Sequence, residues 1–590
     1  MKGKMYRKYL CSELREKHVG EEISLAGWVD TIRDLGGVLF IDLRDMYGIT
    51  QVVVSGDEEK VEFASKIPVE STITVKGKVR LRDDETVNES LETGKVELFA
   101  EEIEILGKRT KSLPFEISKS REVKEDLRLE YRFLDLRAKK QLENIRLRSE
   151  LLQFLRGEMV KQGFLEVQTP ILTSSSPEGA RDYLVPSRMY PGKFYALPQA
   201  PQQFKQLLMV SGIDKYFQIA PCFRDEDARA DRSPGEFYQL DMEMAFATQE
   251  DVFSVMEKVM YETFSKFSDK KISKYPFPRI PYREAMLKYG SDKPDLRNPL
   301  IIHDVTDIFE KIDIKVFAGK KVRTITVPGG TDVERSFYDG MTDFAISECK
   351  AKGLAWIKIL ADGEWQGPIA KFINEDSRKE FMERTGTKLG DSIFFIAEHL
   401  GIVEKLAGEI RKELGERLGL IDKDVFEFCW IVDFPMYEYA DDGKIDFCHN
   451  PFSMPQGGME SLMTKEPLDI LAYQYDIVCN GIELSSGAVR NHDPEIMKKA
   501  FEIAGYTEDD IKTKFAALFK AFQFGAPPHA GIAPGVDRML MLLAEEESIR
   551  EVIAFPMNSK AQDVLMGAPG VVTEKQLYDV HIKLNIRDKK

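Results

Sequence analysis

The segment FRDEDARADRSPGEFYQLDMEM, from Phe223 to Met244, predicts two strands joined by a long charged loop. It follows YFQIAPC and ends within FYQLDMEMAF, and both have the alternating apolar pattern of a strand, with the turn signal Ser-Pro-Gly between them. A mixed-charge stretch is often only a solvated face. Here Asp241 and Glu243 alternate with apolar residues, so both carboxylates lie on one face of the strand, and we expect cationic partners for them.

Length and composition describe a soluble protein of several domains. The chain has 590 residues, 43% of them hydrophobic and 31% charged, which fits about three to five domains. No apolar run reaches the roughly 18 residues of a membrane span, and MKGKMYRKYLCSEL has no signal-peptide core. We therefore expect a cytoplasmic protein with no membrane partner. Six scattered cysteines without a Cys-x-x-Cys pair argue against structural zinc and against a disulfide framework.

The net charge of −16 argues against non-specific nucleic-acid binding, and we expect no DNA partner. Because electrostatic steering depends on how charge is distributed, a local basic surface for one folded RNA stays open.

The first 110 residues predict a β-barrel. Residues 1–110 show five short strand patterns, with a helical segment, DEEKVEFASKI, before the fourth. This order is typical of an OB-type barrel, whose strand face binds single-stranded nucleic acid, although other small barrels would show the same alternation.

The rest of the chain mixes helices and strands. Residues 111–140 form a linker into a long basic stretch, LRLEYRFLDLRAKKQLENIRLRSELLQFLRGEMVKQGF, which we predict to be helical. The charged loop belongs to residues 141–284, and residues 285–425 have the pattern of a self-contained α+β insert. In residues 426–590 we predict strands in FEFCWIVDFPMYEY, one further strand in YDIVCNGIELSSGAVR, and a strand-to-helix turn in GIAPGVDRMLMLL.

Phosphate chemistry in this chain has to depend on arginine. A Walker A motif, a Rossmann glycine fingerprint and a His-x-x-x-His pair are all absent from the sequence. Guanidinium groups bind phosphate or carboxylate through two parallel hydrogen bonds. Arg224 opens the charged loop, and Arg538 follows APGVD at a helix N-terminus, where the helix dipole favours a phosphate. Taken alone, Arg538 is equally explained by a salt bridge at a helix end.

Further candidate residues occur in short polar motifs. In GIELSSGAVR, Glu483 suits Mg²⁺, which takes one or two carboxylates besides substrate phosphates, whereas the alternative is a hairpin or bulge with outward charges. A lone histidine in a loop is more often structural than catalytic. The other candidates are Glu178 in SSSPEGARDY, Gln202 and Lys205 in LPQAPQQFKQLL, His449 in DFCHNPFSMP, and Arg490.

Taken in order, FLEVQTPIL, FRDEDARADRSPGEFYQLDMEM and GIAPGVDRMLMLL resemble motifs 1, 2 and 3 of the class II aminoacyl-tRNA synthetases. SPEGARDY, FKQLLM, HNPFSMP, GAVR and GVDR are similar to the bacterial-type aspartyl-tRNA synthetases, over essentially the whole chain. The resemblance implies an OB-type anticodon-binding domain (1–110), a linker (111–140), a class II antiparallel-sheet catalytic domain in two parts (141–284 and 426–590, with a C-terminal extension), and an inserted α+β domain (285–425).

The resemblance implies that L-aspartate reacts with ATP to give aspartyl-adenylate, which then acylates tRNA-Asp. ATP is then a substrate, and Mg²⁺ would be held by Glu483 and Asp476. Arg224 would bind the α-phosphate and the aspartate α-carboxylate, and Arg538 the outer phosphates, so Arg224, Glu483 and Arg538 are the expected catalytic residues. The further ATP contacts implied are Asp225, Glu226 at the adenine end, Ser233, Phe237 stacked on the base, Gly535, Val536 and Asp537.

The family resemblance also implies an aspartate pocket. Arg490 and Lys205 would bind the substrate side chain, and an asparagine ligand would leave these cations underpaired. The other implied aspartate contacts are Arg224, His449 on a mobile loop, Asp241 holding the cations in place, and Glu178 and Gln202 at the ammonium group.

In the N-terminal module the resemblance implies that Phe40 stacks on an anticodon base. Arg33, Gln51, Arg82 and Glu97 would contact base edges or backbone. The alternative for Phe40, in VLFIDL, is a place in the barrel core. Leu35, in RDLGG, is similar to members specific for tRNA-Asp, whereas relaxed members, which also charge tRNA-Asn, often have histidine there; Thr86 matches neither pattern.

Three departures from the family pattern leave its charges intact. Ser233 stands in a motif 2 loop one residue longer than usual, where a glutamine contacts ATP, Ala200 replaces a serine, and Asn450 replaces a second histidine. The alternatives are an asparaginyl- or lysyl-tRNA synthetase, which Lys205 and Arg490 disfavour, and a non-catalytic RNA-binding descendant, which would be expected to lose Arg224, Glu483 or Arg538. Motif 1, near Pro170, implies a homodimer.

Overall fold

The computed structural model describes residues 6–175, 180–440 and 442–586. The chain divides into two compact units, residues 1–143 and 144–590. Among the described residues, no helix combines the length and the apolar character needed to cross a lipid bilayer.

The first unit contains a closed barrel of five strands in the order β1-β2-β3-β5-β4. A helix, α1 (Glu58–Ser65), precedes the fourth strand, as predicted, and Asp57 caps it by accepting a hydrogen bond from the backbone N–H of Lys60. Apolar residues alternate into the barrel core along each strand. The strands are β1 (Glu22–Asp34), β2 (Leu39–Arg44), β3 (Ile49–Val54), β4 (Thr72–Leu81) and β5 (Val96–Gly107).

The basic stretch after the barrel forms three helices: α2 (Glu125–Glu130), α3 (Arg132–Asp135) and α4 (Lys139–Lys161). The first break comes at Tyr131, whose backbone (φ −111°, ψ 36°) is not helical. The buried Asp135 carboxylate accepts hydrogen bonds from Arg128 and from Arg132. This local ion cluster stabilises the short turns in place of a continuous helix.

The second unit contains the remaining strands. They are β6 (Leu165–Glu166), β7 (Leu184–Pro186), β8 (Phe194–Ala196), β9 (Lys215–Arg224), β10 (Gly235–Ala245), β11 (Lys271–Ile272), β12 (Arg279–Pro281), β13 (Ile302–Asp304), β14 (Lys321–Val327), β15 (Ala355–Ile359), β16 (Trp365–Gln366), β17 (Ser392–Glu398), β18 (Val425–Phe426), β19 (Phe428–Pro435), β20 (Tyr437–Tyr439), β21 (Ile445–Phe447), β22 (Leu471–Cys479), β23 (Ile482–Val489) and β24 (His529–Ile532).

Its helices are α5 (Gln202–Val210), α6 (Gln249–Phe267), α7 (Tyr282–Tyr289), α8 (Thr306–Phe309), α9 (Arg335–Ser347), α10 (Glu375–Thr385), α11 (Ile402–Arg417), α12 (Gly458–Thr464), α13 (Pro494–Ile503), α14 (Glu508–Lys514), α15 (Ala516–Phe522), α16 (Val536–Leu543) and α17 (Glu574–Asp579).

Eight strands form the main sheet, in the order β12-β19-β22-β23-β24-β10-β9-β6. The strands from β19 to β9 pair antiparallel, as predicted, and the short edge strands β12 and β6 pair in parallel. Apolar residues of α4, α6 and α16 pack on one face. Leu240 and Met242 of β10 belong to this core, so the alternate residues Asp241 and Glu243 lie on the opposite face.

The predicted single strand in YDIVCNGIELSSGAVR is wrong, because the segment is a hairpin of β22 and β23. The turn consists of Asn480 and Gly481, with φ values of 52° and 80°. Asn-Gly favours such a turn because both residues tolerate positive φ. The sequence therefore carries the signal for this turn, and the prediction of one strand gives too much weight to the apolar residues on both sides of it. As a result Glu483 lies just after the turn, and Asp476 pairs with Ser486 across the hairpin.

Residues 285–425 contain a second, antiparallel sheet in the order β13-β14-β17-β15-β16. Along β17, Ile393 and Phe395 lie in one core with α8 and α10, whereas Phe394 and Ile396 lie in another with α9 and α11. Both faces of this sheet are therefore covered by helices. The proposed boundary at residue 285 falls within α7, and that at 425 falls within β18.

Candidate active site

A cavity of about 330 Å³ opens on the face of the main sheet that carries Asp241. Its walls come from α5, the β9–β10 hairpin, the loop after β21, β23 and the start of α16. Most residues that the sequence analysis selected line it. They are Gln202, Lys205, Arg224, Glu226, Ser233, Phe237, Asp241, His449, Glu483, Arg490, Gly535, Asp537 and Arg538.

Two cations and two carboxylates form a buried cluster at the floor of this cavity. Lys205 Nζ lies 2.7 Å from Asp241 Oδ1 and 3.3 Å from Glu243 Oε2. Arg490 donates from Nε and Nη2 to the two oxygens of Glu243, at 2.8 and 3.1 Å. All four residues are almost fully buried. The cationic partners expected for Asp241 and Glu243 are therefore Lys205 and Arg490.

The two carboxylates of the cluster have pKa values shifted in opposite directions. Burial raises the pKa of Asp241, and Lys205 offsets only part of that effect. Burial also acts to raise the pKa of Glu243, but Arg490 and Lys205 outweigh it, so the pKa of Glu243 is lowered. Among the described residues, Arg490 Nη1 has no hydrogen-bond acceptor. One N–H edge of this guanidinium thus remains for a ligand in the cavity.

Arg224 differs from the other cations in the cavity wall. Its guanidinium lies 5.0 Å from the centre of the Phe237 ring, a favourable cation–π distance. Within the described parts of the chain it has no carboxylate partner, whereas Lys205, Arg232, Arg490 and Arg538 all do. Arg224 is therefore the cation in this wall that can pair with an incoming anion without first losing a partner.

The charged loop folds through its own ion pairs. Arg232 Nη1 lies 2.9 Å from Glu226 Oε2. Asp225 lies outside the cavity wall, where its backbone N–H donates to Arg181 O at 3.0 Å. Ser233 is buried and lines the cavity; its hydroxyl lies 3.4 Å from the carbonyl of Pro234.

The motif at the start of α16 places Arg538 in the cavity. Arg538 donates from Nε to Asp231 O at 3.2 Å and from Nη1 to Glu483 O at 2.5 Å. The carboxylate of Asp537, in contrast, makes contacts within the protein. One of its oxygens pairs with Arg148, and the other accepts a hydrogen bond from the Tyr238 N–H at 2.9 Å. Its carboxylate thus holds α16 against β10.

Val536 and Gly535 contribute backbone rather than side chains to this motif. The Val536 side chain is fully buried in the core below the sheet. Gly535 lines the cavity, and its N–H donates to Leu484 O at 2.9 Å. Any contact of Val536 with a nucleotide would have to be made by its main chain.

Asp476 and Glu483 lie together on the β22–β23 hairpin. Asp476 is buried, and its Oδ1 has no hydrogen-bond partner among the described residues. Burial, and next the charge of Glu483, raise the pKa of Asp476 well above its usual value. A buried oxygen without a donor, beside a second carboxylate, is the type of ligand set that Mg²⁺ prefers. These two residues therefore fit the metal that the family resemblance implies.

Gln202 and His449 occupy two sides of the cavity. Gln202 lies at the start of α5, and its buried side-chain nitrogen has no partner among the described residues. The ring of His449 lies 5.3 Å from that of Phe434. Desolvation by the surrounding loop lowers the pKa of His449, which favours the neutral imidazole at neutral pH.

Glu178 lies outside the described residues. The segment that follows it is held by Gln199, whose side-chain nitrogen donates to Ala180 O at 2.8 Å and to Asp182 Oδ1 at 2.6 Å. The sequence analysis did not select Gln199, although it lies in the quoted LPQAPQ motif.

In the first unit, the predicted anticodon residues share one surface of the barrel. Arg33 Nη2 donates to Asp42 and to Gln51 Oε1, at 3.0 and 3.2 Å, and Gln51 Nε2 donates to Glu97 Oε2 at 3.0 Å. Phe40 pairs with Arg33 across β1 and β2. Along β2 only Leu39, Ile41 and Leu43 are buried. The alternative that Phe40 belongs to the barrel core is therefore wrong.

Two further residues of this group lie at the edge of that surface. Arg82 is buried and donates from Nε to Val96 O at 3.2 Å, and burial lowers its pKa. Leu35, in the turn between β1 and β2, is 69% exposed, so it is accessible to a large ligand.

Two contacts of charged residues in the site are not predicted by the sequence. Glu243 is expected to have cationic partners, but the sequence does not show that Lys205 and Arg490 both bind it. Lys293 lies in the segment after α7, and its Nζ is 3.3 Å from Glu483 Oε2. No local signal predicts this contact, since the two residues are far apart in the chain.

Comparison with known proteins agrees with this arrangement. Residues 124–559 match the family of tRNA synthetases class II (D, K and N), and residues 23–106 match the OB-fold nucleic acid binding domain. The chain is 57% identical over 580 residues to an aspartate–tRNA ligase of Streptomyces avermitilis, and 56% identical over 591 residues to an aspartate–tRNA(Asp/Asn) ligase of Rickettsia bellii. Both matches cover 98% of each chain.

Solved structures support the fold. The asparaginyl-tRNA synthetase of Pyrococcus horikoshii with asparaginyl-adenylate aligns with a TM-score of 0.57 at 20% identity, covering 94% of this chain and 98% of its own. The aspartyl-tRNA synthetase of Entamoeba histolytica aligns with a TM-score of 0.56 at 21% identity, covering 92% and 90%. Together, the family match over most of the chain and the identity over nearly its full length show that the chain belongs to the class II tRNA synthetases, among the aspartate–tRNA ligases.

Proposed function

We propose that this enzyme activates L-aspartate with ATP to form aspartyl-adenylate, and then transfers the aspartyl group to the 3′ end of tRNA-Asp. The observation that carries the proposal is the buried cluster of Lys205 and Arg490 in the cavity floor. Burying a carboxylate without cationic donors is costly. Lys205 and Arg490 already pair with Asp241 and Glu243, but Arg490 Nη1 has no acceptor among the described residues and can donate to the side-chain carboxylate of aspartate. The neutral amide of asparagine would bind this donor less strongly and the ammonium group of lysine would be repelled, which favours aspartate as the substrate.

The first chemical step needs no protein nucleophile. An oxygen of the aspartate α-carboxylate attacks the α-phosphorus of ATP, the bond from that phosphorus to the bridging oxygen breaks, and pyrophosphate leaves with the electron pair. Arg224, which has no carboxylate partner in the described chain, would neutralise the charge shared by the two reacting groups. Arg538 would pair with the outer phosphates, and Phe237 would stack on the base.

The remaining contacts orient the substrates. Gln202 and Glu178 would hold the aspartate ammonium group, and neutral His449 would cover the pocket. Mg²⁺ bound by Asp476 and Glu483 would supply positive charge to the phosphate oxygens. In the second step the terminal ribose hydroxyl of the tRNA attacks the acyl carbon, the bond from that carbon to the phosphate oxygen breaks, and AMP leaves with the electron pair, while the hydroxyl proton passes to its phosphate or to solvent.

The test of this function is charging of purified tRNA-Asp and tRNA-Asn with labelled aspartate. We expect charging of tRNA-Asp. The relatives carry both kinds of name, aspartate–tRNA ligase and aspartate–tRNA(Asp/Asn) ligase. Leu35, which is similar to the members specific for tRNA-Asp, favours an enzyme specific for tRNA-Asp, and equal charging of tRNA-Asn would contradict that part of the proposal. Absence of charging on either tRNA would contradict the function itself.

We expect Phe40→Ala to weaken tRNA recognition without affecting adenylate formation. Stacking of a base on an aromatic ring contributes about 1–3 kcal/mol, so the KM for tRNA-Asp should rise by roughly five- to 150-fold. Pyrophosphate exchange, which needs no tRNA, should stay at the wild-type rate. Phe63→Ala is the matched control, because Phe63 is 45% exposed on α1 of the same unit. An equal rise in KM for both variants would contradict the assignment.

We also propose that the enzyme is a homodimer. Apolar residues near Pro170 are unusually exposed: Leu165, Ile171 and Leu172 are 56%, 47% and 53% exposed. A cluster of exposed apolar side chains favours a protein interface. Sedimentation equilibrium should therefore give a mass near twice the 67.4 kDa of one chain, and a mass near 67.4 kDa at micromolar concentration would contradict the proposal.

A further inference from the structure

One segment of the insert contacts the β22–β23 hairpin, which carries Asp476 and Glu483. Residues 290–300 follow α7, and Lys293 Nζ lies 3.3 Å from Glu483 Oε2 and 2.7 Å from Asp292 Oδ2. The Lys293 side chain is only 36% exposed and that of Glu483 only 26%. This ion pair joins the insert to a carboxylate that we assign to the metal.

The same segment rests on the main sheet at two further points. A Cβ on Gly481, in the hairpin turn, would lie 3.2 Å from Cβ of Asp295, so the turn and the segment are in close contact. Leu296 packs against the apolar cluster that includes Cys429 and Val478. The position of the segment is therefore coupled to the position of the hairpin.

On its other side, the segment is held by helix α11 of the insert. Arg411 is buried, and it donates to the backbone oxygens of Leu300, Asn298 and Asp295 at 2.6, 2.6 and 3.0 Å. Asn298 in turn donates to Arg411 O at 2.8 Å. Arginine donors that bind three carbonyl groups of one loop fix the path of that loop without forming an ion pair.

A second contact between this segment and α11 leaves no room for a side chain at Gly290. Gly290 has a φ of +69°, and a Cβ on it would collide with the backbone of α11 at Glu404 and Gly408. The segment thus approaches α11 as closely as two backbones allow.

We infer that Lys293 is a positioning residue of the active site, supplied by the insert: it orients and neutralises Glu483 before the metal and ATP bind. The inference rests on the proposed assignment of Glu483 and Asp476 as metal ligands. Lys293 competes with a divalent cation for the same carboxylate, so the insert limits metal binding by the free enzyme. The insert thereby influences metal binding in the active site, in addition to packing against the main sheet.

The test is binding of Mn²⁺ to the free enzyme, measured by loss of the signal of free Mn²⁺ in electron paramagnetic resonance. Removing the competing cation in Lys293→Met should tighten Mn²⁺ binding by about fivefold, the upper end of the effect expected of an ion pair that is partly exposed to solvent. Lys293→Arg keeps the charge and should restore an affinity near that of the wild type. Lys320→Met is the matched control, because Lys320 pairs with Glu398 at the same 3.3 Å, away from the site.

Glu483→Gln separates this inference from the proposed function. If Glu483→Gln weakens Mn²⁺ binding while Lys293→Met leaves it unchanged, the metal assignment stands and the role of Lys293 is overturned. If Glu483→Gln leaves Mn²⁺ binding unchanged, the metal assignment fails, and this inference fails with it.

Arg411→Lys tests the part played by α11. The substitution keeps the charge but loses the hydrogen bonds to three backbone carbonyl groups. Residues 290–300 should therefore be held less firmly, and Mn²⁺ affinity should show part of the rise expected for Lys293→Met. Thermal unfolding monitors whether the variant is folded. A folded Arg411→Lys enzyme with wild-type Mn²⁺ affinity would overturn the role of the insert, even if Lys293→Met behaves as expected.

Discussion

Replacing Arg490 by leucine should abolish activation of aspartate. The substitution removes a buried cation and leaves Glu243 without the two hydrogen bonds that it accepts at 2.8 and 3.1 Å. Breaking one partner of a buried pair costs roughly 3–5 kcal/mol of folding stability. The substitution also removes the cation that would bind the substrate carboxylate, a loss of about 2–5 kcal/mol in binding, so kcat/KM for aspartate in pyrophosphate exchange should fall about a thousandfold or more. ATP binding, measured separately by equilibrium dialysis, should change little.

A suitable control for Arg490→Leu is a variant in which a buried, ion-paired arginine outside the cavity is replaced by leucine. Arg323, in the insert, is also buried, and it lies 2.8 Å from Glu404 and 2.8 Å from Asp304. Arg323→Leu should therefore lower the free energy of unfolding to a similar extent while keeping kcat/KM for aspartate within a few fold. Similar losses of aspartate activation in both variants would mean that the effect is on stability alone, and the proposed role of Arg490 would be wrong.

Replacing Arg224 by alanine should slow adenylate formation with little effect on stability. Arg224 contacts Phe237 but has no carboxylate partner in the described chain, so its loss leaves no buried charge behind. Removing one donor that stabilises developing charge costs about a hundred- to a thousandfold in kcat. Pyrophosphate exchange gives the rate, and urea unfolding gives the stability.

Arg229→Ala is the matched control for this second variant. Arg229 lies in the same charged loop, but it is exposed and does not line the cavity. Its loss should leave the exchange rate near that of the wild type. If Arg229→Ala slows exchange as much as Arg224→Ala, the loop acts through its overall charge, and the specific pairing of Arg224 with the reacting groups is refuted.

The sequence predicted that the floor of the site carries charge, but not which residues complete it. Alternation along β10 places Asp241 and Glu243 on one face, because side chains of a strand point to opposite sides in turn. This alternation does not show which cations bind the two carboxylates, since Arg490 lies 247 residues from Glu243 in the chain. The family resemblance supplied Lys205 and Arg490, and only the fold shows that both share Glu243.

The errors have physical causes of the same kind. The β22–β23 hairpin was taken as one strand because the apolar run continues past the Asn480–Gly481 turn on both sides. Asp537 lines the cavity and stays a predicted nucleotide contact, but the sequence did not predict that its carboxylate also binds Arg148 and the Tyr238 N–H. A contact between distant segments, like this one and like that of Lys293 with Glu483, depends on tertiary packing that local pattern does not encode.

The central claim is that the buried cations select aspartate, and pyrophosphate exchange tests it most directly. Labelled pyrophosphate is supplied with ATP and Mg²⁺, and with aspartate, asparagine or lysine in turn. We predict exchange with aspartate, and rates with asparagine and lysine lower by about a thousandfold or more, because neither presents a carboxylate to the open Nη1 edge of Arg490 and lysine adds a repelled cation. Equal exchange with asparagine, or no exchange with aspartate, would contradict the account.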